Sequence, residues 1–412
     1  MIYQETMKSS IKLKKQFKSD KNIISMTMKI LLLNYEFPPA GGGAGFATYN
    51  IGRELVKLGI EVDVLTSRIE GEADGKLTDG MRVYRVTSWR KGIHDCGMVG
   101  AYSYVIFALF KRYFLLKKNN YDIEHFFFSL PTGILSQVPL PLKRPPYLIS
   151  LRGSDVPGYD PFNVKLEKIH QLLLPLTRRI WSKSRAVVAL SQGLKDIAIK
   201  TNQNQAISVI PNGIEIDHFK PATEEYQSEP NAPLRVITVS RLLERKGIHH
   251  LLEAIANPSP LNVELTIVGT GSYQEKLKVK CQQFGLDDRV KFIGFVRRDE
   301  LPALYQSSDL FALPSQTESF GLVFAEAMSC GLPVIATFVG GIPELVRNNK
   351  DGILVDAAQP EQVRKALEFM IENPEERKAM GQASRQRVLD KYSWQMIARQ
   401  YLEKYQSIQE KN

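Results

Sequence analysis

The chain has 412 residues, of which 43% are hydrophobic and 24% are charged, and it contains three cysteines. This balance is typical of a globular protein and excludes a disordered chain, a collagen-like repeat and a disulfide scaffold. The length exceeds what one hydrophobic core usually supports, which predicts two domains. The separated Cys96, Cys281 and Cys330 fit free thiols in a reducing cytoplasm. The apolar runs are too short to predict a transmembrane segment.

The net charge of +10 is concentrated in the first half of the chain. Residues 1–210 contain 30 Lys and Arg against 17 Asp and Glu, whereas residues 211–412 contain 24 against 27. A basic half suits an anionic membrane surface, a phosphorylated substrate or a nucleic acid. We do not expect a nucleic-acid partner, because the basic residues are scattered and no recognised reader motif occurs.

Residues 1–27 are rich in lysine but lack the apolar core and the cleavage site of a secretory signal. We expect a basic, disordered N-terminal extension, or a true translation start at Met26 or Met28. The first domain is then expected to begin at residue 28.

Short apolar runs alternate with helical patterns along the rest of the chain. Many runs are continuous in Val, Ile and Leu, as is typical of parallel strands buried on both faces. The alternation occurs in two stretches, which predicts an α/β fold with two doubly wound, Rossmann-like domains. The predicted strands are Lys29–Asn34, Glu61–Thr66, Arg82–Val86, Ile123–Phe127, Tyr147–Leu151, Ala186–Leu190, Arg235–Ser240, Val263–Val268, Val290–Gly294, Leu310–Leu313 and Pro333–Ala336, with helices such as Ala47–Leu58 and Gly247–Ala256 between them.

The boundary between the domains is predicted at residues 220–233, which are polar, rich in proline and without apolar periodicity. The first domain then spans residues 28–219 and the second spans residues 234–390. The segment 391–412 contains a predicted helix near Trp394–Gln406 that we expect to pack back onto the first domain.

A glycine-rich run, Gly41–Gly45, separates the first predicted strand from a helix. Such a turn lets the backbone approach a ligand and points the N–H groups of the helix start at a phosphate. Thr48 stands where the dinucleotide fingerprint has its third glycine, and no Walker-type Gly-Lys-Ser/Thr follows. The run predicts either a phosphate-binding turn or a tight turn without a ligand.

Two cations, Arg241 and Lys246, follow the first strand of the second domain. Ligands of open α/β sheets bind at the carboxyl ends of the strands, so these side chains can neutralise a diphosphate. The alternative is a solvated loop with surface cations.

Two glutamates, Glu318 and Glu326, flank the start of a predicted helix near Ser319, a good N-cap. They would lie about 12 Å apart along the helix axis, so a ligand touching both is elongated, such as a sugar joined through a diphosphate to a ribose. Glu326 sits in an apolar run, which indicates a paired or ligand-bound carboxylate rather than a solvated helix face.

These motifs together resemble the retaining glycosyltransferases of family 4, which have the GT-B fold of two Rossmann-like domains facing a central cleft. The resemblance covers Met28 to about Gln406. Its carriers are F-P-P-A-G-G-G, S-L-R-G-S-D-V (Ser150–Val156), V-I-P-N-G-I-E (Val209–Glu215), V-S-R-L-L-E-R-K-G (Val239–Gly247), I-V-G-T-G (Ile267–Gly271), the Glu318/Glu326 pair and G-G-I-P-E-L-V (Gly340–Val346).

The resemblance implies transfer of a sugar from a nucleotide-sugar donor, UDP- or GDP-linked, to a glycan or lipid-linked acceptor in cell-surface polysaccharide or glycolipid synthesis. No metal or other cofactor is expected. The resemblance implies that Arg241 and Lys246 bind the diphosphate, that Glu318 contacts the sugar and that Glu326 binds the ribose. It further implies sugar-phosphate contacts by the backbone of Phe320, Gly321 and Leu322 and closure over the phosphates by Gly42 and Gly43. The base would lie near Val268–Gly271, which includes Gly269, and Phe292–Gly294.

One departure from the family pattern is Arg152, which stands where many relatives have histidine. Arginine cannot accept a proton, so a general base is not available at this position. Arg152 would instead brace the leaving phosphate or contact the sugar with Asp155 orienting it, or the two residues form a structural pair.

The acceptor side is less defined by the sequence. Residues 101–116 are apolar and aromatic and are followed by Lys117 and Lys118. They predict either a surface that docks on an anionic bilayer from the cytoplasmic side or an ordinary core helix. The alternative functions are a nucleotide-sugar-binding regulator without activity and another enzyme of the same architecture, such as an epimerase or a phosphorylase.

Overall fold

A computed structural model of the protein describes residues 28–93, 96–223 and 232–410. The predicted extension 1–27 and most of the predicted linker therefore lie outside the described residues. Within these ranges the chain forms two α/β units, each built on a largely parallel sheet.

The first sheet has eight strands among the described residues, in the order β3-β4-β2-β1-β5-β6-β7-β8. All neighbours pair in parallel except β3 with β4. The strands are β1 (Lys29–Leu33), β2 (Glu61–Ser67), β3 (Lys76–Thr78), β4 (Met81–Val86), β5 (Ile123–Phe127), β6 (Tyr147–Ser150), β7 (Ala186–Ala189) and β8 (Ile207–Val209), and the helices are α1 (Gly43–Lys57), α2 (Gly97–Lys118), α3 (Val164–Ser182) and α4 (Gln192–Thr201).

The second sheet has six parallel strands in its described part, in the order β11-β10-β9-β12-β13-β14. Its strands are β9 (Leu234–Val239), β10 (Val263–Val268), β11 (Val290–Gly294), β12 (Leu310–Leu313), β13 (Val334–Thr337) and β14 (Gly352–Val355). The helices are α5 (Ile248–Ala256), α6 (Gln274–Gln283), α7 (Leu301–Gln306), α8 (Leu322–Ser329), α9 (Ile342–Leu345), α10 (Pro360–Glu372), α11 (Pro374–Lys391) and α12 (Trp394–Gln409).

Both sheets follow the predicted pattern of continuous apolar runs, and the predicted α/β fold class is confirmed. Helices cover both faces, so β12 is completely buried and only the first residue of β1 is partly exposed. The strands that the sequence analysis missed, β3, β8 and β14, have three or four residues and lie at the sheet edges. Strands of three or four residues are too short for a continuous or alternating apolar pattern to identify them.

The last helix, α12, lies against the first domain, because its apolar side chains share a hydrophobic core with β1 and α1. His125 of β5 is buried between this helix and the sheet, with Nδ1 2.7 Å from the Tyr405 hydroxyl and Nε2 2.7 Å from the Ser150 hydroxyl. Burial holds the pKa of His125 well below its usual value, so the ring is neutral. The interaction links residues 280 positions apart in sequence.

Helix α2 differs from the other helices in how much apolar surface it leaves exposed. It is the one described helix that is long and apolar enough to cross a membrane by length and composition, with a mean hydropathy of 1.3 and 39% of its most apolar window buried. The expectation that no segment reaches that length is therefore not met, although core helices of soluble proteins pass the same test.

Replacement of Tyr405 by Phe should lower the free energy of unfolding by about 1–3 kcal/mol, because a buried ring nitrogen of His125 loses its hydrogen-bond partner. Chemical denaturation of the purified proteins measures the change. Tyr102→Phe is the control, since this hydroxyl belongs to a side chain on the protein surface. Equal stability of Tyr405→Phe and the wild type would contradict the prediction.

Candidate active site

The two domains meet at a cleft in which backbone and side chains of both touch. The glycine-rich turn reaches the second domain, and a Cβ at Gly43 would lie only 2.9 Å from Cδ1 of Leu322. A Cβ at Gly153 would similarly lie 3.3 Å from Cβ of Ser319. Both turns follow strands of the first sheet at their carboxyl ends, where open α/β sheets bind their ligands.

Lys246 and Glu318 are brought together at this cleft by tight packing of two loops. A Cβ at Gly247 would collide with the carbonyl oxygen of Pro314, so only glycine lets the 3₁₀ turn Glu244–Lys246 lie against the end of β12. Lys246 Nζ then donates to Glu318 Oε1 in an ion pair between residues 72 positions apart. Only 12% of the lysine and 10% of the glutamate side chain is exposed.

Glu318 lies in a loop before the helix, which begins three residues after the predicted start near Ser319 and has Gly321, not Ser319, as its N-cap. Helix α8 begins at Leu322, directly after Gly321, whose φ of 84° is the left-handed conformation that favours glycine. A Cβ at Gly321 would lie 2.7 Å from the ring of Phe324. The loop keeps Glu318 ahead of the helix and facing Lys246.

Tyr159 of the first domain also faces Glu318. The sequence analysis did not identify this tyrosine as a residue of the site. Burial and the negative charge of Glu318 raise the pKa of Tyr159 to about 12. Arg245 is next to Lys246, and its Nε lies 3.6 Å from Oδ2 of Asp160, which adds a charged contact between the domains.

Arg241 is exposed at the carboxyl end of β9, and its positive charge acts on Glu36 in the opposite domain. Glu36 Oε2 accepts a hydrogen bond from the N–H of Gly42 at 3.2 Å. Burial raises the pKa of the Glu36 carboxyl, while the Gly42 N–H, Arg90 and Arg241 act in the opposite direction. The predicted phosphate turn therefore already binds a carboxylate, through the N–H of Gly42.

Glu326 is fully buried in α8, and its carboxylate forms an ion pair. Arg298, in the loop after β11, donates Nη1–H to Glu326 Oε1, and the Tyr305 hydroxyl donates to Oε2 at 3.3 Å. Burial raises the pKa of Glu326, and the guanidinium of Arg298 opposes that rise.

Arg298 also contacts the first domain, so Glu326 is connected to both halves of the cleft. Its guanidinium lies 4.7 Å from the ring centre of Phe46 in α1, and Nε lies 3.6 Å from Glu215 Oε2. Oε1 of Glu215 in turn lies 3.2 Å from Nη1 of Arg53 in α1. No local motif identified Arg298 as a site residue. The one feature of the sequence that could have indicated it is its position after the carboxyl end of a predicted parallel strand.

Arg152 does not form a side-chain pair with Asp155. The Asp155 carboxylate accepts the backbone N–H groups of Arg152, at 2.7 Å, and Gly153, at 3.1 Å, and that of Ser129 at 2.7 Å. The buried Arg152 guanidinium instead donates to Asn212 Oδ1 at 2.9 Å and lies 4.5 Å from the ring centre of Phe127. Asp155 thus shapes the loop backbone and does not orient the guanidinium.

Gly269 follows β10 at its carboxyl end, and Phe320 lies between Ser319 and Gly321 in the loop before α8. Gly269 has a φ of 124°, and a Cβ there would collide with the carbonyl oxygen of Ser240, which keeps the ends of β9 and β10 close. The Phe320 ring packs on Tyr392 at 5.6 Å between ring centres, so its side chain belongs to the core.

Comparison with known proteins identifies the class. Residues 41–218 match the model described as Glycosyltransferase Family 4, and residues 220–387 match the model described as Glycosyl transferases group 1. The chain therefore belongs to the family 4, group 1 glycosyltransferases.

Relatives with curated names are glycosyltransferases as well. An uncharacterized glycosyltransferase of Methanocaldococcus jannaschii is 28% identical over 92% of this chain and 98% of its own length. A D-inositol 3-phosphate glycosyltransferase of Corynebacterium urealyticum is 28% identical over 92% of this chain and 96% of its own length. A GDP-mannose-dependent mannosyltransferase of Mycobacterium tuberculosis is 35% identical over 47% of this chain and 54% of its own length.

Solved structures share the fold. Sucrose-phosphate synthase of Thermosynechococcus elongatus aligns with a TM-score of 0.79 and 22% identity over 93% of this chain and all of its own. The Anabaena protein HepE, solved with UDP-glucose, aligns with a TM-score of 0.68 and 23% identity over 92% of this chain and all of its own.

Replacement of Arg298 by Met should lower the free energy of unfolding at neutral pH by roughly 2–4 kcal/mol, because the buried Glu326 carboxylate loses its cation. The pKa of Glu326, already raised by burial, should rise further. A carboxyl with a raised folded-state pKa costs stability when ionised, so the deficit should narrow as the pH falls. Denaturant titrations at several pH values measure this.

Arg297→Met is the matched control, since the neighbouring Arg297 pairs with Asp299 in solvent, where both side chains are at least 60% exposed. It should change stability little at any pH. A deficit in Arg298→Met that stays constant with pH would contradict the assignment of the pair.

Proposed function

We propose that the protein is a retaining glycosyltransferase that moves a sugar from a UDP- or GDP-linked donor to a glycan or lipid-linked acceptor. The contact of Gly43 with Leu322 carries this proposal, because it places the glycine-rich turn of one domain against the Lys246–Glu318 side of the other. The names of the mycobacterial mannosyltransferase and of the HepE complex support a nucleotide-sugar donor.

The leaving group in this proposal is a nucleoside diphosphate, so catalysis depends on stabilising negative charge. Arg241 and Lys246 supply positive charge, and the N–H groups at the starts of α1 and α8 add their partial charges. Glu318 contacts the transferred sugar, and Glu326 accepts hydrogen bonds from the ribose hydroxyls. We propose that these groups do this without a metal ion.

Retention of configuration is proposed from the family. Arg152 takes no proton from the acceptor, because a guanidinium does not act as a base and this one is bound to Asn212. The anomeric coupling constant of the new linkage in a proton NMR spectrum of the product tests retention directly.

Replacement of Lys246 by Ala should abolish measurable transfer, a loss of at least about a hundredfold in kcat/KM, because the leaving phosphate loses a cation. Release of UDP or GDP from the matching nucleotide sugars is the measurement, and thermal shift with both nucleotides reports binding. Glu318→Ala should also abolish transfer.

Each single change leaves the other member of the Lys246–Glu318 pair without its partner, so stability needs its own controls. The double variant Lys246→Ala/Glu318→Ala restores the charge balance and should fold but remain inactive. Lys278→Ala removes a surface pair with Glu275 and should retain activity. Normal turnover by folded Lys246→Ala and Glu318→Ala would overturn the site assignment.

We further propose that the first domain docks on an anionic membrane from the cytoplasmic side through α2. The outer face of this helix carries large exposed apolar side chains, many of them four positions apart and hence on one stripe. They are Met98, Val99, Tyr102, Ile106, Phe107, Phe110 and Phe114, with Lys111, Lys117 and Lys118 beside them.

The inner face of α2 favours docking on the surface over crossing the bilayer. Arg112 is 1% exposed and pairs with Glu124 of β5 through two hydrogen bonds of 2.6 Å. The Tyr104 hydroxyl donates to the carbonyl of Leu65 in the same domain. A helix anchored to its own domain in this way presents one face to lipid, with its lysines near the headgroups.

Replacement of Phe110 and Phe114 by Ser should weaken binding to vesicles containing phosphatidylglycerol by at least about tenfold, because two exposed aromatic side chains no longer enter the lipid. Flotation of vesicles with bound protein is the measurement, and added salt should release the wild type.

Leu172→Ser is the control, since Leu172 is 79% exposed on α3, another helix of the same domain. It should float like the wild type. Wild-type protein that does not bind these vesicles, or a double variant that binds them equally well, would exclude the membrane proposal.

A further inference from the structure

Glu36 occupies a position in the cleft that neither the family motifs nor the proposed mechanism uses. Its carboxylate is folded into the glycine-rich turn, where Oε2 accepts the Gly42 N–H at 3.2 Å. The turn fits closely around this side chain, since a Cβ at Gly41 would lie 2.8 Å from Oε2. Gly41 has a φ of 92°, a conformation that favours glycine.

The backbone around Glu36 is held in place by hydrogen bonds, which position its side chain beside the glycine-rich turn. The Glu36 N–H donates to Asn34 Oδ1 at 3.0 Å, and Asn34 in turn bonds the Thr48 hydroxyl at 2.7 Å inside α1. Arg90 donates to the carbonyl of Tyr35 at 3.0 Å. Arg90 of the same domain is therefore held next to Glu36, and the positive charges of Arg90 and of Arg241 in the other domain both act to lower the pKa of the Glu36 carboxyl.

The groups around the carboxylate are the groups that bind phosphate. A backbone N–H at a glycine-rich helix start and an arginine both prefer an anion, and an ionised carboxylate satisfies them as a phosphate oxygen does. Gly43, the next residue of the turn, touches Leu322 at the start of α8. The carboxylate thus lies in the part of the cleft proposed for the donor diphosphate.

We propose that Glu36 is a resident anion of the diphosphate site, which binds the Gly42 N–H and is displaced from it when the donor binds. This inference rests on the proposed function. Displacement lowers the apparent affinity for every diphosphate ligand, because the binding-competent state is only part of the population. After transfer, return of the carboxylate to Gly42 favours release of the nucleoside diphosphate.

Replacement of Glu36 by Gln keeps the size and an oxygen acceptor for the Gly42 N–H but removes the charge. The dissociation constants of UDP and GDP should fall about tenfold, because a neutral hydrogen bond is weaker than a charge-assisted one. Uridine and guanosine lack phosphate, so their binding should not change. Titration calorimetry on the full chain measures all four probes.

Two further variants separate this role from a structural one. Glu70→Gln removes one exposed acidic charge from the same domain and should leave the affinity for UDP and GDP unchanged. Glu36→Ala removes the acceptor as well and should also tighten nucleotide binding, whereas a carboxylate that only supports the turn would weaken it. Unchanged or weaker UDP and GDP binding by folded Glu36→Gln would overturn the inference.

The outcomes also distinguish this inference from the proposed function. If wild-type protein binds a nucleoside diphosphate and Lys246→Ala loses it, the function stands whatever Glu36→Gln does. If Lys246→Ala binds UDP and GDP like the wild type, or the wild type binds neither, the proposed site fails and the inference fails with it.

Discussion

Pairing of buried charge organises the donor side of the cleft between the two domains. Glu318 is paired with Lys246, Glu326 with Arg298, and Glu36 lies in the field of Arg241. Leaving one of these partly buried charges alone would cost several kcal/mol. Under the proposed function, a nucleotide sugar brings its own charge and hydroxyl groups to these partners.

The same charges join the two domains. Arg298 of the second domain meets Glu215, and Glu215 meets Arg53 on α1 of the first. Because Arg298 also holds Glu326, the proposed ribose site is part of the contact between the domains. Occupation of that site and the relative position of the two domains are therefore expected to depend on each other.

The two domains have different tasks under this interpretation, which matches their different charge. The second domain, in the acidic half of the chain, carries Lys246, Glu318 and Arg298 in loops after parallel strands and Glu326 in α8. The first domain, in the basic half, contributes the glycine-rich turn on one side and the exposed face of α2 on another. One domain then binds the donor while the other closes over it and meets the acceptor.

Local sequence pattern determined the fold class, most strands, the glycine-rich turn and the residue types of the donor site, because strand burial and turn chemistry are recorded in neighbouring residues. The tertiary structure alone decided what these residues contact. It showed that α8 begins at Leu322, that Arg152 binds Asn212, and that Arg298 and Glu36 belong to the cleft. The reason is physical: most of these partners are far apart in sequence, and only packing and the pairing of buried charge bring them together.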